Sequence, residues 1–456
     1  MGLPSSLSNA SGAMKGTMKG RLFTMELKTG TVYFRTATGK LHAMPGRIVV
    51  VGAGAAGIIA AWRAAALGAE VILLEKNNRI GIKILISGGG KCNITHDGPI
   101  EEVLKAFRPN EARFIRPACY RFTNQHILDM LREKGLEVYT REDGRVFPTH
   151  GNAKDVVALL GEYLKEADVK VRLNEPVTGL LTKGNTIKGV ATKSGEIEAE
   201  AVILSVGGSS YPGSGTTGDG YSWVSQLGHT LVPIRAALAP IVTAPEPTEG
   251  WAGVALRDCV LKARQNGKEI ARWRDDLLFT HHGVSGPTVL GISRVVAERK
   301  PEGKVTLEAD VCPDKTFEIL GAEALAFCNA NPKRLIAAWA GQLLPERLLS
   351  LLQEQAQIDP KEPVGQLSKK SRNRLVETLK AFPLGEARHV PIEKGEVVAG
   401  GVSLDELDPQ TMQSKIVPNL YLCGEILDIA GPVGGYNLQA AFATGFVAGD
   451  SAAKEF

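Results

Sequence analysis

The chain of 456 residues is short of several things. Its six cysteines, Cys92, Cys119, Cys259, Cys312, Cys328 and Cys423, nowhere form Cys-x-x-Cys. A zinc ribbon, a thioredoxin-like motif and a disulfide framework therefore lack support, and no metal site is expected. A reduced, cytoplasmic setting fits. No uncharged apolar run reaches the ~18 residues of a transmembrane helix, so no membrane partner is expected. The longest candidate, Ile48 to Trp62, is Gly-rich and is stopped by Arg63. Neither sign of charge dominates: 53 basic against 49 acidic side chains leave a net +4. That is too weak to argue for a nucleic-acid partner. Hydrophobic residues at 44% and charged residues at 22% exclude a wholly disordered chain. The excess is in glycine, 51 of 456 residues, about 11% against a usual ~7%. It has no Gly-X-Y period, so collagen is excluded.

The length predicts two or three domains. Residues 1–46 stand apart. They are rich in Ser, Thr, Gly and Lys, with Glu26 as their one acid. They lack the apolar core of a secretory signal, though their composition leaves a transit peptide open. The expectation is a poorly ordered extension, with Met44 as an alternative start.

The first chemistry follows directly. Arg47 to Val51 reads as a buried strand and ends in Gly52-Ala53-Gly54-Ala55-Ala56-Gly57. An alanine-rich helix runs to Leu67, and a second strand, Glu70 to Leu74, is closed by Glu75 and Lys76. Gly52 suits the tight turn, Gly54 the approach of a pyrophosphate, and Gly57 close packing of helix on strand. The helix N-terminus offers N–H groups to phosphate. Glu75 is placed to accept from a ribose diol, which favours FAD or NAD over NADP.

A second glycine loop follows. Gly81 and the strand-like run Ile82 to Ile86, which carries Lys83, lead into Ser87-Gly88-Gly89-Gly90-Lys91-Cys92-Asn93. Three consecutive glycines suit a backbone wrapped against a flat or phosphorylated ligand. An NAD-only domain has no need of this loop, whereas a flavin extending past the pyrophosphate does. Near the other end, the short strand around Leu420 to Leu422 runs into Gly424 and Glu425. Then Gly434, Gly435, Tyr436, Asn437, Leu438 and Gln439 open an Ala-rich helix. Its N-terminus can stabilise negative charge on a reduced flavin.

These blocks resemble the FAD-dependent oxidoreductases that include aminoacetone oxidase and the BaiN-type bile-acid precursor reductase. The matching stretches are VVVGAGAAG, ILISGGGKCNIT, GRVFPTHGNAKDVV, GGSSYPGSGTTGDGY, LLFTHHGVSGP and NLYLCGEILDIAGPVGGYNLQAAFATG. The resemblance implies non-covalent FAD, a three-domain build and oxidoreductase activity on a small molecule, without fixing the substrate or the oligomeric state.

The fold class expected is α/β. A Rossmann-like FAD-binding domain of the glutathione reductase type spans 47–235 and is closed by 391–456. A β-rich module (236–314) and a helical module (315–390) are inserted between. Ala201 to Leu204 is a further buried strand, and Gly207 follows it near the cofactor. Val169 to Val171 and Ile187 to Val190 suggest a small antiparallel meander. Val177 is placed where a backbone edge meets adenine. Asn266-Gly267 reads as a hairpin turn. Gly213 to Gly218 also fits G-x-G-x-x-G. Pro212 precedes it and no acid follows at the right distance, so it is read as a loop capping a helix rather than a second dinucleotide site. NAD(P)H, where used, then binds transiently. The catalytic candidates are His281, for proton transfer, and Tyr436. The basic run Lys369 to Arg374 is read as a solvated helix face, without the interleaved aromatics of a nucleic-acid site.

The function expected is hydride transfer between a small organic substrate and flavin N5, as an NAD(P)H-linked reductase. An amine oxidase using O₂ is the alternative. A flavin-binding tRNA- or nucleic-acid-associated protein is the alternative of another class.

Overall fold

The computed structural model describes residues 46–455, and before them the backbone of four segments. Met14–Met18, Arg21–Lys28, Thr31–Arg35 and Leu41–Ala43 pair in chain order as an antiparallel sheet, with Lys28 opposite Thr31. Composition pointed to an extension without order there. The β-branched and aromatic run Val32-Tyr33-Phe34 was the contrary signal. The rest of the expectation for 1–46 lies outside the described residues.

The central sheet has five parallel strands, in the order Lys170–Arg172, Glu70–Leu74, Arg47–Val51, Ala201–Leu204, Leu420–Leu422. The middle strands are near-continuous apolar runs, and Ile48 to Val51 and Ala201 to Leu204 are buried, with helices Ala55–Ala66 and Tyr436–Lys454 on one side and the strand Thr186–Thr192 packed against Ala201–Leu204. The strand order reverses between Arg47–Val51 and Ala201–Leu204. That is the point where an open parallel sheet leaves a crevice past its carboxyl ends.

Lys170–Arg172 is the edge of this sheet, so the meander expected from Val169 to Val171 is corrected. An edge strand exposes its residues as a free ribbon does, and Lys170, Val171 and Arg172 are all exposed. The meander itself is Val177–Lys183, Thr186–Thr192 and Gly195–Glu198.

Two helices from distant parts of the chain lie against each other over this sheet, Ala55–Ala66 and Tyr436–Lys454. A Cβ at Gly445 would stand 2.2 Å from the Ala56 carbonyl oxygen, and one at Gly449 the same 2.2 Å from that of Ala60. These two glycines serve helix contact.

The inserted module is a closed six-stranded barrel, Ile241–Ala244, Gly283–Ser285, Lys268–Phe279, Ala255–Gln265, Thr306–Asp310 and Phe382–His389. Gln265 pairs with Lys268 across Asn266-Gly267. Helices Phe317–Ala330, Leu349–Ala356 and Lys369–Lys380 extend its core, with Leu348, Leu352, Leu375 and Leu379 fully buried. The chain leaves the sheet domain along Leu231–Ala237 and returns along Val397–Val402, and these two strands pair antiparallel.

Candidate functional site

The first glycine turn performs three distinct tasks. Gly52 has φ +96°, and a Cβ there would lie 2.7 Å from the Ser205 carbonyl oxygen. Gly57 packs so closely that its Cβ would stand 1.9 Å from the Gly52 oxygen. Gly54 is different: a Cβ there meets nothing within 4 Å. Its missing side chain leaves room in a cavity rather than in the protein core.

At the end of the second strand, the buried Glu75 organises this turn. Its Oε2 accepts from the Ala53 N–H at 2.9 Å, and its Oε1 accepts from Asn77 N at 2.9 Å and Asn77 Nδ2 at 2.7 Å. Lys76 pairs with Asp219 at 2.7 Å.

The second glycine loop is a 3₁₀ turn, Ser87–Gly90, with Gly88 and Gly89 in the left-handed region. The run before it, expected as strand-like, is the short helix Ile82–Ile86. Left-handed Gly81 starts it, and the Leu85 N–H donates back to the Gly81 carbonyl at 3.0 Å. From this helix Lys83 reaches Glu425 Oε2 at 2.5 Å and Ser210 Oγ at 2.9 Å. Glu425 also accepts from the Val398 N–H at 3.0 Å. The Glu425 carboxylate is thus engaged by the chain itself.

At the closure, Gly435 caps Tyr436–Lys454 with φ +90°, and a Cβ there would lie 2.4 Å from the Thr95 backbone. Asn437 bonds both polar groups of Gly431, at 2.8 and 2.9 Å.

These loops surround one cavity of about 740 Å³. From the amino-terminal blocks it is lined by Gly52, Gly54, Ala55, Ala56, Glu75, Lys76, Lys83, Ser87, Gly88, Gly89 and Asn93. Val177, Gly207, Gly424, Glu425, Gly435, Asn437 and Leu438 line it from the remainder. Gly57, Lys91, Cys92 and Gln439 lie outside the lining. Lys91 is exposed. Cys92 is fully buried, and burial pushes its thiol up to about 12, so it stays protonated. Gln439 donates to the Phe122 carbonyl at 2.9 Å and accepts from Thr95 Oγ1 at 2.9 Å, a structural role.

Neither catalytic candidate reaches the cavity lining. His281 is exposed on the loop before Gly283–Ser285. Tyr436 stacks on His96 at 4.5 Å and meets Phe107 edge-on at 6.2 Å, and burial raises its phenol. Both sit where packing and loop geometry account for them.

Other lining residues were not singled out from sequence: Asn77, Arg145, Ser214, Gly215, Thr216 and Glu396. The available signal was the glycine-rich run Gly213 to Gly218 itself; in the structure a Cβ at Gly215 would stand 2.3 Å from Asn77 Nδ2. Its loop does cap a helix, Asp219–Gln226 with Gly218 at the cap, and it lines this same cavity. The inserted module contributes Leu238, Pro240, Ser285, Pro287 and Leu290 as a largely apolar wall.

The residues present fit FAD. Gly54 and Gly89 face open space where a side chain would intrude, a helix N-terminus closes the turn, and Glu75 is held beside it. Glu175 also lines the cavity, and its Oε1 is buried without a partner among the described residues, as an acceptor awaiting a donor would be. Among the described residues no cluster of His, Cys, Asp or Glu could hold a metal ion, and no helix is long and apolar enough to cross a membrane.

The comparisons with known proteins agree with this geometry. A ribosomal RNA dihydrouridine synthase of Escherichia coli is 31% identical, over 87% of this chain and 95% of that protein. A 3-dehydro-bile acid delta(4,6)-reductase of Clostridium scindens is 30% identical, over 90% of this chain and 99% of that protein. The solved structure of a 3-ketosteroid delta1-dehydrogenase from Sterolibacterium denitrificans shares the fold, with a TM-score of 0.52 at 16% identity over 91% of this chain and 100% of the other. The family described as HI0933-like protein Rossmann domain matches residues 46–451, and the chain belongs to this family of FAD-dependent oxidoreductases.

Proposed function

We propose that the protein is an FAD-dependent reductase acting on a carbon–carbon double bond conjugated to a carbonyl, with reducing equivalents drawn from transiently bound NAD(P)H. The observation that carries this reading is the cavity itself. The cofactor loops and an apolar wall from the inserted module share one space, so a flat unsaturated substrate can lie against a flavin. The two curated relatives support it through their names: a dihydrouridine synthase and a delta(4,6)-reductase both saturate such a bond.

The roles follow from position. Gly52, Gly54, Ala55, Ala56 and the helix they open would hold the pyrophosphate. Glu75, Lys76, Asn77 and Val177 would hold the adenosine portion. Ser87, Gly88, Gly89, Asn93, Gly207, Gly424, Glu425, Gly435, Asn437 and Leu438 would surround the flavin ring. Once reduced by the nicotinamide donor, FAD bound here would supply a hydride from N5. The Lys83–Glu425 pair fixes the closure to the second glycine loop.

A second reading concerns the form of the substrate, a uracil base within ribosomal RNA. The relatives from Escherichia coli and Haemophilus influenzae favour it. On this reading the base is turned out of its strand into the cavity. Lys369 and Lys370, exposed at the start of helix Lys369–Lys380, are candidates for backbone contact.

The test is anaerobic mixing of the yellow holoprotein with NADH and with NADPH, watching the flavin absorbance bleach. A 3-oxo-4,6-diene steroid, cyclohex-2-enone or an unmodified ribosomal RNA transcript is then added, and finally O₂. Reoxidation by one of the unsaturated probes supports the proposal. Reoxidation by O₂ alone, with reduction by amines, would establish the oxidase alternative instead.

A further inference from the structure

We infer that Glu396 is the proton donor of this reduction, facing the substrate across the cavity. The inference rests on the reductase reading above and names the residue that completes it.

Position comes first. Glu396 stands one residue before Val397–Val402, on the strand that carries the chain back from the inserted module. Its backbone is held on both sides: its N–H donates to the Leu238 carbonyl at 3.0 Å, and its own carbonyl accepts from Ser210 Oγ at 3.4 Å. The side chain lines the cavity beside apolar Leu238, Pro240 and Val397.

Elimination comes second. Five carboxylates line the cavity: Glu75, Glu175, Asp219, Glu396 and Glu425. Glu75 is bonded to Ala53 and Asn77. Asp219 and Glu425 are each paired with a lysine. Glu175 accepts from Ser194 Oγ at 3.1 Å. The Glu396 carboxyl alone of the five accepts no hydrogen bond and forms no ion pair among the described residues. Glu396 is exposed at the cavity it lines, yet desolvation by the protein around it raises its affinity for a proton. Lys83 and Arg145 oppose that rise without reversing it. The other charged groups near it are Glu425, already neutralised by Lys83, and Lys394 on the preceding turn. A raised proton affinity is the setting a carboxyl needs to serve as a proton donor.

The balance is complete. Reduction of C=C–C=O breaks the π bond and forms two C–H bonds. The carbon remote from the carbonyl takes a hydride equivalent, supplied by flavin that a reduced nicotinamide dinucleotide has recharged. The carbon next to the carbonyl takes the proton as the Glu396 O–H bond breaks. The carboxylate left behind regains a proton from water.

The test compares wild type with Glu396→Gln and Glu396→Asp, each loaded with FAD and checked for equal flavin content by absorbance. Single-turnover reoxidation of the pre-reduced holoproteins is followed with the 3-oxo-4,6-diene steroid, cyclohex-2-enone and unmodified ribosomal RNA, from pH 5 to pH 9. A positioned general acid contributes ~10²–10⁴-fold. The Gln variant is therefore expected to reoxidise at least ~100-fold more slowly than wild type. The wild-type rate falls as pH rises through the carboxyl's pKa, the Gln profile is flat, and the Asp variant recovers part of the rate with a displaced profile. A second readout needs no turnover. Because the folded carboxyl has the higher proton affinity, wild type loses thermal stability relative to Glu396→Gln as pH rises above the unfolded value. Equal reoxidation rates and parallel pH profiles for wild type and the Gln variant would overturn the assignment alone. Failure of wild type with all three probes would remove the reductase reading, and the assignment with it.

Discussion

Lys83 and Glu425, 342 positions apart in the chain, form an ion pair in the cavity wall with Nζ 2.5 Å from Oε2. The pair ties the helix before the second glycine loop to the strand end that begins the closure. Both side chains are largely shielded, at 23% and 16% exposure. Lys83→Met leaves Glu425 with the Val398 N–H and Ser210 but without its cation. The expected cost is about 1–3 kcal/mol, read as a lower thermal midpoint of the holoprotein. The double variant Lys83→Met/Glu425→Gln should lose less than the sum of the single variants, since the carboxylate that needed the lysine is gone. Additive losses would show that the pair is incidental.

Gly54 and Gly57 are three residues apart and should fail in different ways. Gly54→Val places its side chain in open cavity, so the protein should fold with a near-native melting curve and purify colourless. Gly57→Ala drives a Cβ onto the Gly52 backbone, so it should lose stability whether or not FAD is present. Circular dichroism melts and the flavin-to-protein absorbance ratio separate the two outcomes. Stoichiometric FAD in Gly54→Val would contradict the pyrophosphate assignment.

Gly445→Val tests the helix contact. A Cβ there cannot coexist with the Ala56 carbonyl at the present separation, so the two helices must part. Overpacking of this kind costs typically ~1–3 kcal/mol, and here it also shifts the helix that opens the first glycine turn. Both the urea midpoint and FAD affinity should fall together.

Asp450 supplies a pH test. Its side chain is 1% exposed and is bound by Arg63, Arg121 and Lys454. Burial pulls its pKa upward, but Lys454, Arg63 and Arg121 outweigh this, and the carboxyl lies below its ordinary 3.8. A folded pKa below the unfolded value stabilises above the unfolded value, and that contribution is lost as pH falls through the folded one. Asp450→Asn should therefore lower the thermal midpoint at pH 7, with the gap to wild type closing below about pH 4. A gap that stays constant down to pH 2 would disprove the charge argument.

The cofactor cradle was legible in the sequence because it is made of backbone. Gly52, Gly57 and Gly435 meet neighbouring main chain where any side chain would clash, and that constraint shows in one residue type. Glu75 was legible because a strand must end before it. The limits have equally physical causes. Ile82 to Ile86 is apolar enough for strand or helix, and the left-handed turn at Gly81, which starts a local hydrogen-bond ladder, decides. Val169 to Val171 alternates like a free ribbon because it is a sheet edge. Gly445 and Gly449 look like ligand glycines but serve a helix crossing, which needs the partner helix in view. Glu396 is one acid among 49, and nothing local distinguishes it. Its importance arises when two strands far apart in sequence, Leu231–Ala237 and Val397–Val402, pair and bring it to the cavity.

The strand Ala201–Leu204 pairs on one side with Arg47–Val51 and on the other with Leu420–Leu422. Translation delivers the first pairing early and the second only after the whole barrel and its helices have been made. Until then the nascent sheet carries an open edge beside a half-built crevice, with the first glycine turn formed and its closing helix absent. An unfinished chain has no enclosed place for a flavin. Cofactor capture is therefore a post-synthetic event that seals the last strand and helix against the first, and flavin supply should govern how much full-length chain survives proteolysis in the cell.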